Sequence, residues 1–128
     1  MNEYSGLIKL LNAIFDYKVD KNIFGALDDF QKIPIFTISR LDKIKNISGL
    51  VESFGKNNAL HKIANLILVT GIIDPDKAKT QEELDEIDRI NQSIKRYDLL
   101  GKVRWLGMHL SKSDTGEVYR IISSRRGV

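Results

Sequence analysis

Two short apolar runs constrain this chain more than anything else in it. Ile33-Pro34-Ile35-Phe36-Thr37-Ile38 and Leu66-Ile67-Leu68-Val69 are almost wholly apolar and rich in β-branched residues. A strand with one wet face alternates apolar and polar residues, whereas a strand apolar throughout is covered on both faces, as in a parallel sheet. Pro34 lacks an N–H and is expected among the first residues of its strand, where no ladder bond is lost. Between the runs, Asn46 suits the N-cap of a helix whose apolar face is Ile47, Leu50, Val51 and Phe54. Asn57-Asn58 interrupts that pattern, and Leu60 to Ala64 is expected to form a short turn.

The same alternation continues downstream. After a loop from Ile72 to Lys79, Thr80 and Glu83 have capping-box spacing. Leu84, Ile87, Ile90, Ile94 and Tyr97 then line one helix face, and Gly101 is a natural stop. Lys102 to Leu106 reads as a third strand ending at Gly107. Asp114 and Glu117 repeat the capping-box spacing ahead of Val118, Tyr119, Ile121 and Ile122 on a last helix. Strands and helices in this order, with connections of this length, predict a parallel α/β sheet. Upstream, Leu7, Leu10, Leu11 and Ile14 predict an amphipathic helix, and Asp16 to Lys32 reads as a connecting segment. The expected division is 1–32 for helix and connector and 33–128 for the sheet domain. Val128 falls where a further parallel strand is expected, so the sheet reads as unfinished, with a raw edge.

Composition narrows the chemistry. The chain has 128 residues and no cysteine, which removes disulfides, thiolate catalysis and sulfur-ligated zinc and suits a reducing cytoplasm. No run approaches the roughly 18 to 20 apolar residues a membrane span needs. Glu3 and Lys9 interrupt the moderately apolar start, which reads as a helix and not a signal peptide. The net charge of +3 is uneven: Arg40, Lys43, Lys45, Lys56 and Lys62 form one basic zone. Lys102, Arg104, Lys112, Arg120, Arg125 and Arg126 form another, with an acidic stretch from Asp74 to Asp98 between them. Short separated zones without interleaved exposed aromatics favour a local anion site over a nucleic-acid face.

In open α/β sheets ligands bind beyond the carboxyl ends of the strands, here Ser39 to Asn46, Thr70 to Asp74 and Gly107 to Thr115. The first joins a buried strand to a helix start, where free N–H groups and the helix dipole favour an anion. Arg40 offers a planar fork for phosphate oxygens and Lys45 a mobile point charge. The competing reading pairs Arg40 with Asp42 and leaves Lys45 solvated. No Walker A sequence and no G-x-G-x-x-G follows any strand. His109 follows the third strand, either placed to touch a nucleobase or as a plain loop histidine. His61 is expected at the surface, and two isolated histidines predict no metal site. Trp105 is expected in the core, and Asp85, Glu86 and Asp88 on a solvated helix face. Arg125-Arg126 at a helix end is explained by the dipole.

The run Pro34 to Glu52, reading P-I-F-T-I-S-R-L-D-K-I-K-N-I-S-G-L-V-E, closely resembles the sucrose synthase family. The likeness continues through Phe54-Gly55-Lys56-Asn57 and Ala64-Asn65-Leu66. It resumes at Tyr97, Arg104-Trp105 and Gly116-Glu117-Val118-Tyr119-Arg120, and runs to Arg126-Gly127-Val128. It covers about 100 residues, from the region of Asp28 onward. Sucrose-phosphate synthases share the arginine and the Lys-Asn pair but depart from the wording between them.

The resemblance implies a retaining glycosyltransferase of GT-B architecture, with this chain a partial Rossmann-like piece of its C-terminal nucleotide-binding domain. Such enzymes interconvert sucrose plus a nucleoside diphosphate with nucleotide-activated glucose plus fructose. By resemblance Arg40 and Lys45 bind the diphosphate and stabilise it as a leaving group, while His109 and Thr115 match base-facing positions. No cofactor or metal is implied beyond the substrate nucleotide, UDP or ADP. The chain departs from the family at four places: plant members carry Gln at His109 and Asn at Thr115, Thr70-Gly71 replaces the usual Gly-Gly, and Ile38-Ser39 replaces Met-Ala. The family's Glu-rich motif for the donor sugar lies beyond Val128, and its N-terminal domain, with a catalytic histidine and the fructose side, precedes this stretch. The isolated chain is therefore expected not to turn over, and the whole parent to be a cytoplasmic homo-oligomer acting on sugars, with neither nucleic acid nor membrane as partner. The alternatives are a stand-alone binding or assembly module using the raw sheet edge, and a sucrose-phosphate synthase-like enzyme.

Overall fold

The computed structural model describes residues 12–14, 16–42, 44–109, 115–117 and 119–120. In chain order it contains β1 (Ile23–Phe24), β2 (Ile33–Ile38), α1 (Ile47–Lys56), α2 (Asn58–His61) and β3 (Ala64–Val69). A 3-10 turn (Pro75–Lys77), α3 (Gln81–Arg96) and β4 (Val103–Leu106) follow. The sheet order is β1-β4-β3-β2. β2 runs parallel to β3 from Ile33↔Ala64 to Ile38↔Val69, and β3 runs parallel to β4 from Leu66↔Val103 to Val69↔Leu106. This is the open, mostly parallel α/β sheet expected from the apolar runs, a partial Rossmann-like arrangement.

β3 is central, and all six of its residues are buried. Side chains alternate across the sheet, so Leu66 and Leu68 join Val103, Trp105, Val51, Phe54, Ile87, Ile90 and Ile94 beneath α1 and α3. Ile67 and Val69 face the opposite side with Phe36, Leu106, Leu27 and Ile14. Both crossover helices therefore cover one face, and the segment preceding β2 covers the other. Pro34 is the second residue of β2 and pairs only toward β3, as its missing donor requires.

The segment from Asp16 to Lys32, expected to be purely connecting, contains β1. It pairs antiparallel with β4, Ile23↔Leu106 and Phe24↔Trp105, which makes the sheet four-stranded and mixed. Gly25, with φ +77°, follows at once, and a side chain there would collide with the Val103 carbonyl. Of the proposed first helix, Asn12 to Ile14 are helical and Ile14 is fully buried; Leu7, Leu10 and Leu11 lie outside the described residues. Of the proposed last helix, Thr115 to Glu117, Tyr119 and Arg120 are helical; Asp114, Val118, Ile121, Ile122, Arg125 and Arg126 lie outside them. Tyr119 reaches the open side of β2, where its hydroxyl accepts the Ile38 N–H at 3.0 Å and its ring meets Phe36 edge-on.

The reciprocal capping box opens α3: Glu83 N–H donates to Thr80 Oγ1, and Thr80 N–H donates to the Glu83 carboxylate. Two surface assignments are overturned. His61 is buried, its ring against Phe54 and its Nε2 2.6 Å from the Phe54 carbonyl, because the short α2 folds back beneath α1. Glu86 is 1% exposed, because positions 86, 90 and 94 share one helix stripe with Ile90 and Ile94. Its carboxylate accepts Ser48 N–H, Ser48 Oγ and Arg89 Nη1. Leu84, expected on the apolar face, is 37% exposed. Trp105 is core, as expected. Among the described residues no helix is long and apolar enough to cross a membrane.

Candidate functional site

β2, β3 and β4 are parallel, so the three segments that follow them leave the same end of the sheet. There they line a cleft of about 260 Å³, with walls of Ile38 to Leu41, Val69 to Ile72, and Met108-His109, and Glu83 at the rim. Arg40 and His109 therefore share one cavity, as the sequence pattern implied. Lys45 and Thr115 do not line it, and Lys45 is exposed.

The turn from Ser39 to Asn46 is organised by its own polar groups. Ser39 N–H donates to the Val69 carbonyl at 2.9 Å, and Leu41, 3% exposed, anchors the loop in the core. Asp42 Oδ1 accepts the Lys45 N–H at 2.8 Å, and Asn46, a left-handed N-cap (φ 48°), accepts the Gly49 N–H at 3.2 Å. Glu86 takes the Ser48 N–H from below. The backbone donors of Lys45, Ser48 and Gly49, expected to be free for an anion, are thus occupied by side-chain oxygens. Two carboxylates near the helix start also offset its positive dipole end. What this turn offers a phosphate is side-chain charge.

Arg40 supplies that charge. Its side chain is exposed, and among the described residues neither Arg40 nor Lys45 enters an ion pair. The reading that spends Arg40 on Asp42 does not hold, since the Asp42 carboxylate turns back to cap the loop. Glu83, whose place at the rim was missed from sequence, is committed to the backbone of Lys79 and Thr80, so its capping-box spacing was the available signal.

The opposite wall is tighter. Thr70 N–H donates to the Leu106 carbonyl at 3.0 Å and Gly71 N–H to the Met108 carbonyl at 3.1 Å, so the loops after β3 and β4 are zipped together. Gly71 has φ +68°, and a Cβ there would come within 2.9 Å of His109 Cε1. The imidazole lies against the glycine and is exposed to the cleft mouth.

Arg104, a member of the second basic zone and of the third strand in the sequence, is 0% exposed. Its guanidinium donates to the carbonyls of Ala13, Lys18 and Gly25 at 2.7–2.9 Å. Burial holds its pKa below the ordinary arginine value, against the opposing pull of Asp16 and Asp20. Arg104 ties the segment before β2 to β4, and Gly107 N–H donates to Asn22 O at 2.8 Å, which steadies the loop carrying His109. A larger polar cleft of about 500 Å³ lies between α1 and α3, lined by Ser48, Glu52, Arg89, Gln92 and Arg96 among others. It sits on the helical layer, away from the strand ends where this fold binds ligands.

No protein-family model matches the chain. Among curated proteins it is similar to the sucrose synthase of Thermosynechococcus vestitus, 43% identical over 120 residues, which is 94% of this chain and 15% of the relative. Sucrose synthase of Nitrosomonas europaea is 42% identical over 98% of the chain and 16% of its own length. Sucrose synthase 2 of Arabidopsis thaliana is 38% identical over 90% and 14%. The chain spans about 15% of the length of the relatives it matches. With about two-fifths identity sustained along nine-tenths or more of its residues, this chain belongs to the sucrose synthase family.

Proposed function

We propose that the chain carries the diphosphate-facing part of the nucleotide site of a retaining glycosyltransferase that interconverts sucrose plus NDP with NDP-glucose plus fructose. The observation that carries this reading is the cleft at the strand ends, which Arg40, in no ion pair among the described residues, lines together with Gly71 and His109. Arg40 grips the diphosphate with its fork, and Lys45, in the same turn, adds charge as the glycosidic bond to the leaving diphosphate breaks. Two cations take the part that a divalent metal plays in many phosphate-leaving reactions. His109 and Thr115 face the base of the nucleotide, UDP or ADP, in this reading. The sugar and fructose sides belong to the remainder of the parent enzyme, a homo-oligomer of the cytoplasm in this reading.

The chain by itself binds nucleoside diphosphate weakly and does not turn over, because the transition state needs a second wall closed on the donor. Titration calorimetry with UDP, UMP, ADP and AMP tests the reading. Each diphosphate is expected to bind at least about tenfold more tightly than its monophosphate, the worth of one charge-assisted contact. Equal affinity for mono- and diphosphates contradicts it.

A further inference from the structure

Two of the places where this chain departs from its family's pattern, Thr70 and His109, meet in space across Gly71. Thr70 is 2% exposed and both capacities of its hydroxyl are used. Oγ1 accepts the indole N–H of Trp105 at 2.8 Å and donates to the Ile72 carbonyl at 2.7 Å. Trp105 is itself immobile, 1% exposed in the core with Phe24 edge-on to its ring. A rigid indole thus fixes a hydroxyl, the hydroxyl fixes the turn from Thr70 to Ile72, and that turn presents the bare Cα of Gly71 to the imidazole. A glycine at position 70 has no hydroxyl and breaks this connection at its second link.

We infer that Thr70 is a specificity-determining positioning residue, which acts through Gly71 to set where the His109 ring stands in the base-facing wall. The inference rests on the nucleotide-site reading for its functional half only. Thr70 is 2% exposed with its hydroxyl held by Trp105 and Ile72, so it acts through its neighbours. It governs which base fits, and leaves diphosphate contacts at Arg40 unchanged.

The test uses the full chain. Its two histidines give two imidazole Hε1 resonances, with His109 assigned by its loss in His109→Gln. Thr70→Val and Thr70→Gly remove the hydroxyl with both its bonds, Trp105→Phe removes the indole donor alone, and each is expected to displace the His109 resonance by more than its linewidth, while Thr70→Ser leaves it in place. Three independent variants keep the test alive if one of them fails to fold. The ratio of ADP to UDP dissociation constants is expected to change by at least about threefold in Thr70→Gly, with pyrophosphate affinity unaltered and Thr70→Ser restoring the ratio. A His109 resonance that stays put in all three variants overturns the inference, as does an ADP-to-UDP ratio that stays constant. Loss of the nucleotide-site reading has a different signature: pyrophosphate then fails to bind, or binds equally to Arg40→Ala, whatever the His109 resonance does.

Discussion

Arg104 lies inside β4 and Arg40 lies two residues beyond the end of β2, so one sheet holds both guanidiniums under opposite conditions. Arg104 is sealed from water and its donors are spent on three backbone carbonyls from the segment that precedes β2. Arg40 is exposed and enters no ion pair among the described residues, while the polar groups of Asp42 and Asn46 bond the backbone of their own turn. A buried cation with four of its five donors on backbone carbonyls is a structural group, and its loss leaves those carbonyls without a partner. An exposed cation without a partner costs the fold little and keeps its charge for a ligand. The difference separates the part of this sheet that holds it together from the part that can recognise an anion.

The largest way to break that contrast is Arg104→Met. It strands the carbonyls of Ala13, Lys18 and Gly25, and a stability loss of about 3 kcal/mol is expected by chemical denaturation. A loss under about 1 kcal/mol means the guanidinium is not the tie described here. Next is Arg40→Ala, expected to weaken NDP binding by about 2 kcal/mol while changing folding stability by less than about 0.5 kcal/mol. If stability falls instead, Arg40 is a second Arg104. Lys45→Ala sharpens the comparison at a smaller scale. Because Lys45 lies outside the cleft walls, a loss of only about 0.5–1 kcal/mol of NDP affinity is expected by calorimetry. A loss equal to that of Arg40→Ala would show the turn closing on the ligand.

Sequence reasoning reached the parallel strands because Ile33 to Ile38 and Leu66 to Val69 declare burial on both faces by composition alone. It missed β1, where two residues are too few to show a period and pairing comes from β4, far along the chain. It counted Arg104 in a basic zone, whereas Val103-Arg104-Trp105-Leu106 is a strand buried at every position, a context in which a basic residue must be sealed in. Glu86 was equally legible: stepping back in fours from Ile94 and Ile90 lands on it. His61 gave no such sign, since four helical residues carry no pattern. At the site, the meeting of Arg40 and His109 followed from parallel strands sharing one open end. The capture of the turn's N–H groups by Asp42, Asn46 and Glu86 depended on side-chain directions no spacing encodes.

The most direct test of the proposed nucleotide cleft is an amide-resolved NMR titration of the full chain and its Arg40→Ala variant with UDP and ADP. Shifts are predicted to cluster at Ser39, Arg40, Thr70 to Ile72, Met108 and His109, and to collapse in the variant. Shifts confined to the cleft between α1 and α3, or a variant that binds as the parent does, would contradict the account.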